Sequence, residues 1–484
     1  MSRDKVNSEY KAKQDIEWMC LIRDSERRIE IARKGIAKLR RSIRLISKQL
    51  QEGFFQMKQH TKRIDPGLRM GPGNRYNPHV FSHLARDPVL ACEEPAMTKS
   101  WKTKLIHTDA RIPQGYHSLA TPTYRGSTTV FPSASAVNDT WDQWRVGYTY
   151  GLYGTPTVLE LAARVCELES GTHTILTPGG QAAISLINFA LLQTGDHILI
   201  PASVYYPNRK LATRLLSRFG IATVFYDPVI GAGISSLIRE NTRLIWCESP
   251  GSITMEVQDL PAIVATAHAR NVRVVLDNTW SAGVLLDAFV HGVDITMQAL
   301  TKYIGGHSDL LLGSITVRDD MLYQRIGSAQ QVIGCAVSPD DCSLALRGLQ
   351  TLGVRLSAIE ASALAIGRWL ASRPEVELVL HPAFESCPGH EFWKRDFLGS
   401  SGVFSIVFKP GPTQQQVFAF VDALKLFKVG YSWGGVVSLV VAYNIRRIPG
   451  RPPYDHRIVR LNIGLEATAD LIHDLEQALP ALSA

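Results

Sequence analysis

Lys302 stands in the stretch QALTKYIGGHSDLLLGS, among apolar and small residues, followed by two glycines, a histidine and an acid. A lysine there can lay its stem on apolar surface and snorkel its ammonium to water. The chemical alternative is an amine kept in a pocket as a nucleophile. Asp277 closes VRVVLD, which places a carboxyl group at the end of an apolar run. It can form an Asx-turn with Asn278 and Thr279, or it can hold the protonated ring nitrogen of a heterocyclic ligand. In TPGGQAAISL, Gly179 and Gly180 precede a helical pattern. Backbone N–H groups at such a start favour a phosphate, although a plain tight turn has the same spelling. Tyr205 and Tyr206 in ASVYYPNRK follow another apolar run, either as packing residues or as a ring stacked on a planar ligand.

These residues need elements to bring them together. After Met97, short β-rich runs (THTIL, HILIP, ATVFY, RLIWC, VRVVLD and VDITMQALT) alternate with helix-compatible stretches such as QAAISLINFALL, NRKLATRLLSRF and LPAIVATAHARN. Alternation of this kind predicts an open parallel or mixed sheet covered by helices. Ligands in such sheets sit beyond the carboxyl ends of the strands. Asp277 and Lys302, the latter closing the last of these runs, are therefore expected on one rim. An amine, an acid for a pyridinium, a phosphate cup and a stacking ring at strand ends are together what pyridoxal phosphate requires when held as a Schiff base.

The first part of the chain follows another pattern. Ile22, Ile29, Ile36, Ile43 and Leu50 recur every seven residues, offset from Trp18, Ser25, Ala32, Leu39 and Ile46. That a/d register predicts a heptad-patterned helix over residues 1–53. It can pair as a coiled coil, fold back as an amphipathic helix, or be absent from the cell if Met97 is the true start. Residues 1–96 hold 20 Lys and Arg against 12 Asp and Glu, which accounts for the whole net charge of +8 and leaves 32 of each beyond. The larger region thus carries no electrostatic sign of a nucleic-acid partner. With 45% hydrophobic and 20% charged residues the composition is that of a soluble globular protein, and neither a secretory signal nor a membrane span is expected. Cys20, Cys92, Cys166, Cys247, Cys335, Cys342 and Cys387 are scattered without a C-x-x-C pair, which fits reduced thiols in a cytoplasm and no metal site.

Longer motifs are more specific: YGLYGTPT, ESPGSITMEVQDLPAIVA, LDNTWSAGVL, QALTKYIGGHSD, RGLQTLGVRL, GHEFWKRDFLGSSGVFS, YSWGG and RLNIGLE. Through them the chain from about Lys104 to its end resembles the Cys/Met-metabolism family of pyridoxal-phosphate enzymes. The resemblance implies an α/β fold of type I, like that of aspartate aminotransferase, with a mixed, mostly parallel sheet. The expected layout is a helical leader (1–53), a linker (54–96), a segment reaching a neighbouring subunit (97–155), a large cofactor-binding domain (156–346) and a smaller C-terminal α+β domain (347–484). Lys302 is implied to hold the cofactor and move the proton, and Asp277 to keep the pyridine nitrogen protonated. Tyr205 is implied to stack on the ring, while Gly180, Gln181 and Thr301 form the phosphate cup. Tyr150 is implied to enter from the neighbouring subunit and, with Lys302, is a candidate acid for the leaving thiolate. Arg460 is implied to fork onto the substrate α-carboxylate, with Ser432 and Trp433 lining the substrate pocket.

The implied activity is α,β-elimination of L-cystathionine to L-homocysteine, pyruvate and ammonia in methionine biosynthesis, by a homotetramer built from dimers. The alternatives are reaction at the γ-carbon, as in a cystathionine γ-lyase or γ-synthase, cysteine desulfhydration, and a non-catalytic scaffold. Two positions depart from the family pattern. Leu152 stands where an arginine usually reaches a phosphate, a contact worth about 1.5–3 kcal/mol. Val437 stands where glutamate is frequent, which leaves the distal end of the pocket less polar.

Overall fold

The computed structural model describes residues 100–105, 118–446 and 453–483. The heptad-patterned leader and the linker expected over 54–96 lie outside the described residues. The apolar runs become the strands of a seven-stranded sheet: β1 (His173–Thr177), β2 (His197–Pro201), β3 (Ala222–Tyr226), β4 (Thr242–Glu248), β5 (Arg273–Asp277), β6 (Ile295–Gln298) and β7 (Gly313–Val317). Their order is β1-β7-β6-β5-β4-β2-β3. Every neighbouring pair is parallel except those formed by β7, which runs against both β1 and β6. The sheet is thus mixed and mostly parallel, as the alternating pattern predicts.

Side-chain alternation along each strand explains how both faces become buried. Ile198, Ile200, Trp246 and Val275 face α2 (Gly180–Leu191) and α4 (Asp320–Ile333). Leu199, Ile245, Cys247 and Leu276 face α3 (Leu260–His268) on the other side. Each fully buried aliphatic contributes about 1.5–3 kcal/mol relative to exposure. The helix-compatible stretch NRKLATRLLSRF is helical but changes winding. An ordinary turn over Tyr206–Lys210 widens over Leu211–Leu215 and tightens over Leu216–Phe219 before Gly220, with φ +73°, ends it.

A third core joins α1 (Pro156–Leu168) to α5 (Pro339–Ala371), the 33-residue helix that continues from this sheet towards the second one. That second sheet contains β8 (Val376–Leu380), β9 (Val403–Phe408), β10 (Lys428–Val429), β11 (Leu439–Ile445) and β12 (Asp455–Asn462) in the order β10-β11-β12-β9-β8. It packs on α6 (Gln414–Ala423) and α7 (Thr468–Ala478) through Phe404, Phe408, Phe420 and Leu475. Among the described residues no helix is long and apolar enough to cross a membrane.

Candidate active site

The carboxyl ends of the parallel strands open onto a cavity of about 320 Å³. Asp277, at the last position of β5, lines it. Thr279 donates to its Oδ1 from both backbone N–H (3.1 Å) and hydroxyl, so the Asx-turn geometry is present without consuming Oδ2. Enclosure raises the Asp277 pKa, while the Thr279 bonds and the Lys302 amine oppose that rise.

Lys302 also lines the cavity, but not as the end of a strand. The ladder of β6 stops at Gln298, because the next groups bond locally: Ala299 N–H to Thr279 Oγ1 (2.9 Å), Lys302 N–H to Ala299 O (3.1 Å) and Gly306 N–H to Lys302 O (2.8 Å). The lysine is therefore carried on a turn. Its Nζ donates to Ser432 Oγ at 2.6 Å and lies 5.5 Å from the Trp433 ring centroid. Burial, aided by the Arg460 guanidinium and opposed by Asp277, pushes this amine down to about 8. Ser432 reaches it from a backbone at φ +81°, a strained conformation for a non-glycine residue. Gly434 then presses close, since a Cβ there would stand 2.8 Å from Tyr303 N.

Tyr205 follows β2 and lines the cavity, whereas its neighbour Tyr206 does not. Gly180 and Gln181 line it as well, at the start of α2, where the first N–H groups have no partner within the helix. A side chain at Gly180 would stand 2.8 Å from Ala299 Cβ, so the helix start and the lysine turn meet only because this residue is glycine. Thr301 lines the wall too, but its hydroxyl is engaged with Leu312, donating to the carbonyl and accepting the amide, both at 3.1 Å. Arg460, from β12, is 9% exposed, lines the cavity and donates to Ser432 O at 3.3 Å.

Ser432 is joined to the cavity through its bond to Lys302 and not as a lining residue, and Tyr150 lies outside it. Within its own chain it lines a separate surface hollow with Leu152, Arg125 and Asp340. Trp280 and Glu248 are among the cavity residues that escaped the sequence reading. Trp280 is held by its Nε1 donating to Val403 O at 3.1 Å. Glu248 closes TRLIWCE as Asp277 closes RVVLD, so the signal that singled out one carboxylate was equally present for the other.

Fold and cavity together define an α/β enzyme in which an amine of suppressed basicity, a carboxylate and a helix N-terminus face one ligand space. The family model described as Cys/Met metabolism PLP-dependent enzyme matches residues 102–480, and the chain belongs to that family. It is 40% identical over 360 residues to the cystathionine beta-lyase MetC of Escherichia coli, covering 73% of this chain and 91% of that protein. It is 38% identical over 385 residues to the cystathionine beta-lyase of Salmonella typhimurium, covering 78% and 97%. The crystal structure of the metB protein of Corynebacterium glutamicum superposes with a TM-score of 0.73 at 30% identity, over 80% of this chain and 99% of that one.

Pyridoxal phosphate is accordingly the cofactor, and the residues present fit it. Lys302 has a neutral hydroxyl as its hydrogen-bond partner, Asp277 keeps one carboxylate oxygen clear of Thr279, and the glycine pair leaves the start of α2 open.

Proposed function

We propose that the chain is a cystathionine β-lyase, releasing L-homocysteine, pyruvate and ammonia from L-cystathionine. The observation that carries the reading is the convergence of Lys302, Asp277 and Arg460 on one cavity, in a chain whose relatives bear that name. Pyridoxal phosphate, when bound, supplies an electron sink for the charge left on Cα. Lys302 would hold it covalently, Asp277 would keep its ring nitrogen protonated, and Tyr205 would stack on its ring. Gly180 and Gln181 would take the phosphate end, and Thr301, whose hydroxyl and amide both donate to Leu312 O, would stand beside it.

Arg460 orients the substrate through its α-carboxylate, beside Ser432 and Trp433. Lys302, released from its covalent bond as the substrate amine takes its place, then removes the Cα proton. With its basicity lowered to about 8, roughly a tenth of such amines are free at pH 7, against fewer than about one in a thousand for an ordinary lysine. The departing thiolate takes a proton from Lys302, which by then carries one, or from Tyr150 of a second copy. The described cysteines form no disulfide, and Cys247, Cys342 and Cys387 are buried, which supports a cytoplasmic enzyme. Tyr150, outside the cavity of its own chain, supports an assembly of copies, read here as a homotetramer.

The test is to incubate purified protein with L-cystathionine and identify the keto acid. Pyruvate with homocysteine is the expected pair, whereas 2-oxobutyrate would mean cleavage at the γ-carbon. Borohydride should bleach the yellow colour and leave a label on Lys302, and a protein that never takes up the cofactor would be a scaffold.

A further inference from the structure

Glu248 and Asp277 end the adjacent parallel strands β4 and β5 and are direct register partners. Neighbouring strands lie about 4.8 Å apart, and partnered residues project to the same face. Both carboxyl groups line the cavity. Two such groups cannot both be charged at little cost, so one keeps its proton.

Their surroundings decide which. Asp277 has two donors from Thr279 and the amine of Lys302 to favour its anion. Glu248 has backbone amides only. Its Oε2 accepts the Tyr205 N–H at 2.6 Å, and the Ser252 amide, itself bonded to Ser203 O at 2.8 Å, contributes less. Enclosure and the charge of Asp277 outweigh these amides and hold Glu248 well above the usual carboxyl range.

The anchor is rigid. Glu248 N–H donates to Gln258 Oε1 (2.9 Å), Gln258 Nε2 to the Tyr226 hydroxyl (2.9 Å), and that hydroxyl to Trp246 O (2.6 Å). From this fixed strand end the carboxyl reaches across to the loop that follows β2.

We infer that Glu248 is a positioning residue acting as a neutral acid: it clamps the Tyr205 amide, sets the tyrosine ring over the Asp277 end of the cavity, and leaves Asp277 the sole carboxylate anion there. The inference rests on the cofactor reading of the cavity.

The experiment strips cofactor from the parent protein, E248Q, E248A and E248D. It then titrates each with pyridoxal phosphate, following intrinsic fluorescence and visible absorbance. A parent that does not bind would sink the cofactor reading itself, apart from anything said of Glu248. With a binding parent, E248A should lose affinity about tenfold, while E248Q, which keeps a carbonyl acceptor, stays within about threefold. E248D, one methylene shorter, should fall below E248Q and keeps the clamp testable if E248A does not fold. In E248Q the pH midpoint of the bound-cofactor absorbance should stay within about 0.3 unit of the parent. E248A matching the parent, or E248D matching E248Q, overturns the clamp. A midpoint displaced by about one unit or more in E248Q means that Glu248 was ionised, and overturns its neutrality.

Discussion

Lys302 meets the two demands on it, a free amine and a fixed position, through different neighbours. Burial and the guanidinium of Arg460 destabilise its ammonium form, so its basicity in the folded protein lies below that of an ordinary lysine, near 8. Below that pH the amine is protonated and cannot condense. The rate at which cofactor-free protein takes up pyridoxal phosphate should therefore climb with pH and level off above about 8; stopped-flow absorbance checks this, and a profile still rising at pH 10 would contradict it. Arg460 itself presents a planar fork that a lysine cannot reproduce. Arg460→Lys should raise the KM for cystathionine by about ten- to a hundredfold, the size of a charged hydrogen bond, with a smaller fall in kcat. Steady-state kinetics separates the two, and an unchanged KM would remove Arg460 from substrate binding.

At the scale of elements, the lysine turn is docked onto α5. Arg355, buried on that helix, donates to Tyr303 O at 2.8 Å and to Gly348 O at 2.7 Å, so one guanidinium ties the turn to the helix. Gly348 makes the approach possible, because a Cβ there would run into the carbonyls of Ile304 and Gly305. Gly348→Ala should cost about 1–3 kcal/mol of stability by overpacking, readable in urea unfolding, and should weaken cofactor retention as Lys302 shifts. Little of this docking was legible beforehand. The strands were, because Ile198–Ile200, Leu244–Cys247 and Val274–Leu276 are continuous apolar runs, which a sheet buried on both faces requires. Asp277 was legible as a run's last residue, and Glu248 equally so. The end of β6 was not, because Ala299, Leu300 and Thr301 suit a strand as well as a turn. Local bonds to Thr279 and Leu312 decided the outcome. Ser432 and Trp433 reach Lys302 from far along the chain, a proximity that only the family resemblance suggested.

For the whole molecule, the family match begins at residue 102 and the cavity residues all lie beyond it. Removing residues 1–96 should leave turnover within about twofold, since a compact domain keeps its own core and site. The reverse holds for the segment that carries Tyr150. This segment is fastened to α4: Trp141 packs on Tyr323 with ring centroids 5.0 Å apart and fills the space beside Gly327, and the Tyr323 hydroxyl donates to Asp142 at 3.2 Å. Gln143 Nε2 then donates to Tyr150 O at 3.1 Å, yet Tyr150 is 45% exposed and Val130 and Val137 nearby in sequence are 90% and 66% exposed. A rigidly held, apolar surface with a tyrosine that misses its own cavity suits a ring acting in a second copy. If so, Lys302→Ala and Tyr150→Phe chains, each nearly inactive alone, should complement when co-expressed. A mixed pair has one site with both defects and one with neither, and random pairing makes half of all dimers mixed, so activity should recover to about a quarter of the parent. No recovery, with mixed dimers demonstrated by differential tags, would return Tyr150 to its own chain and leave the thiolate proton to Lys302.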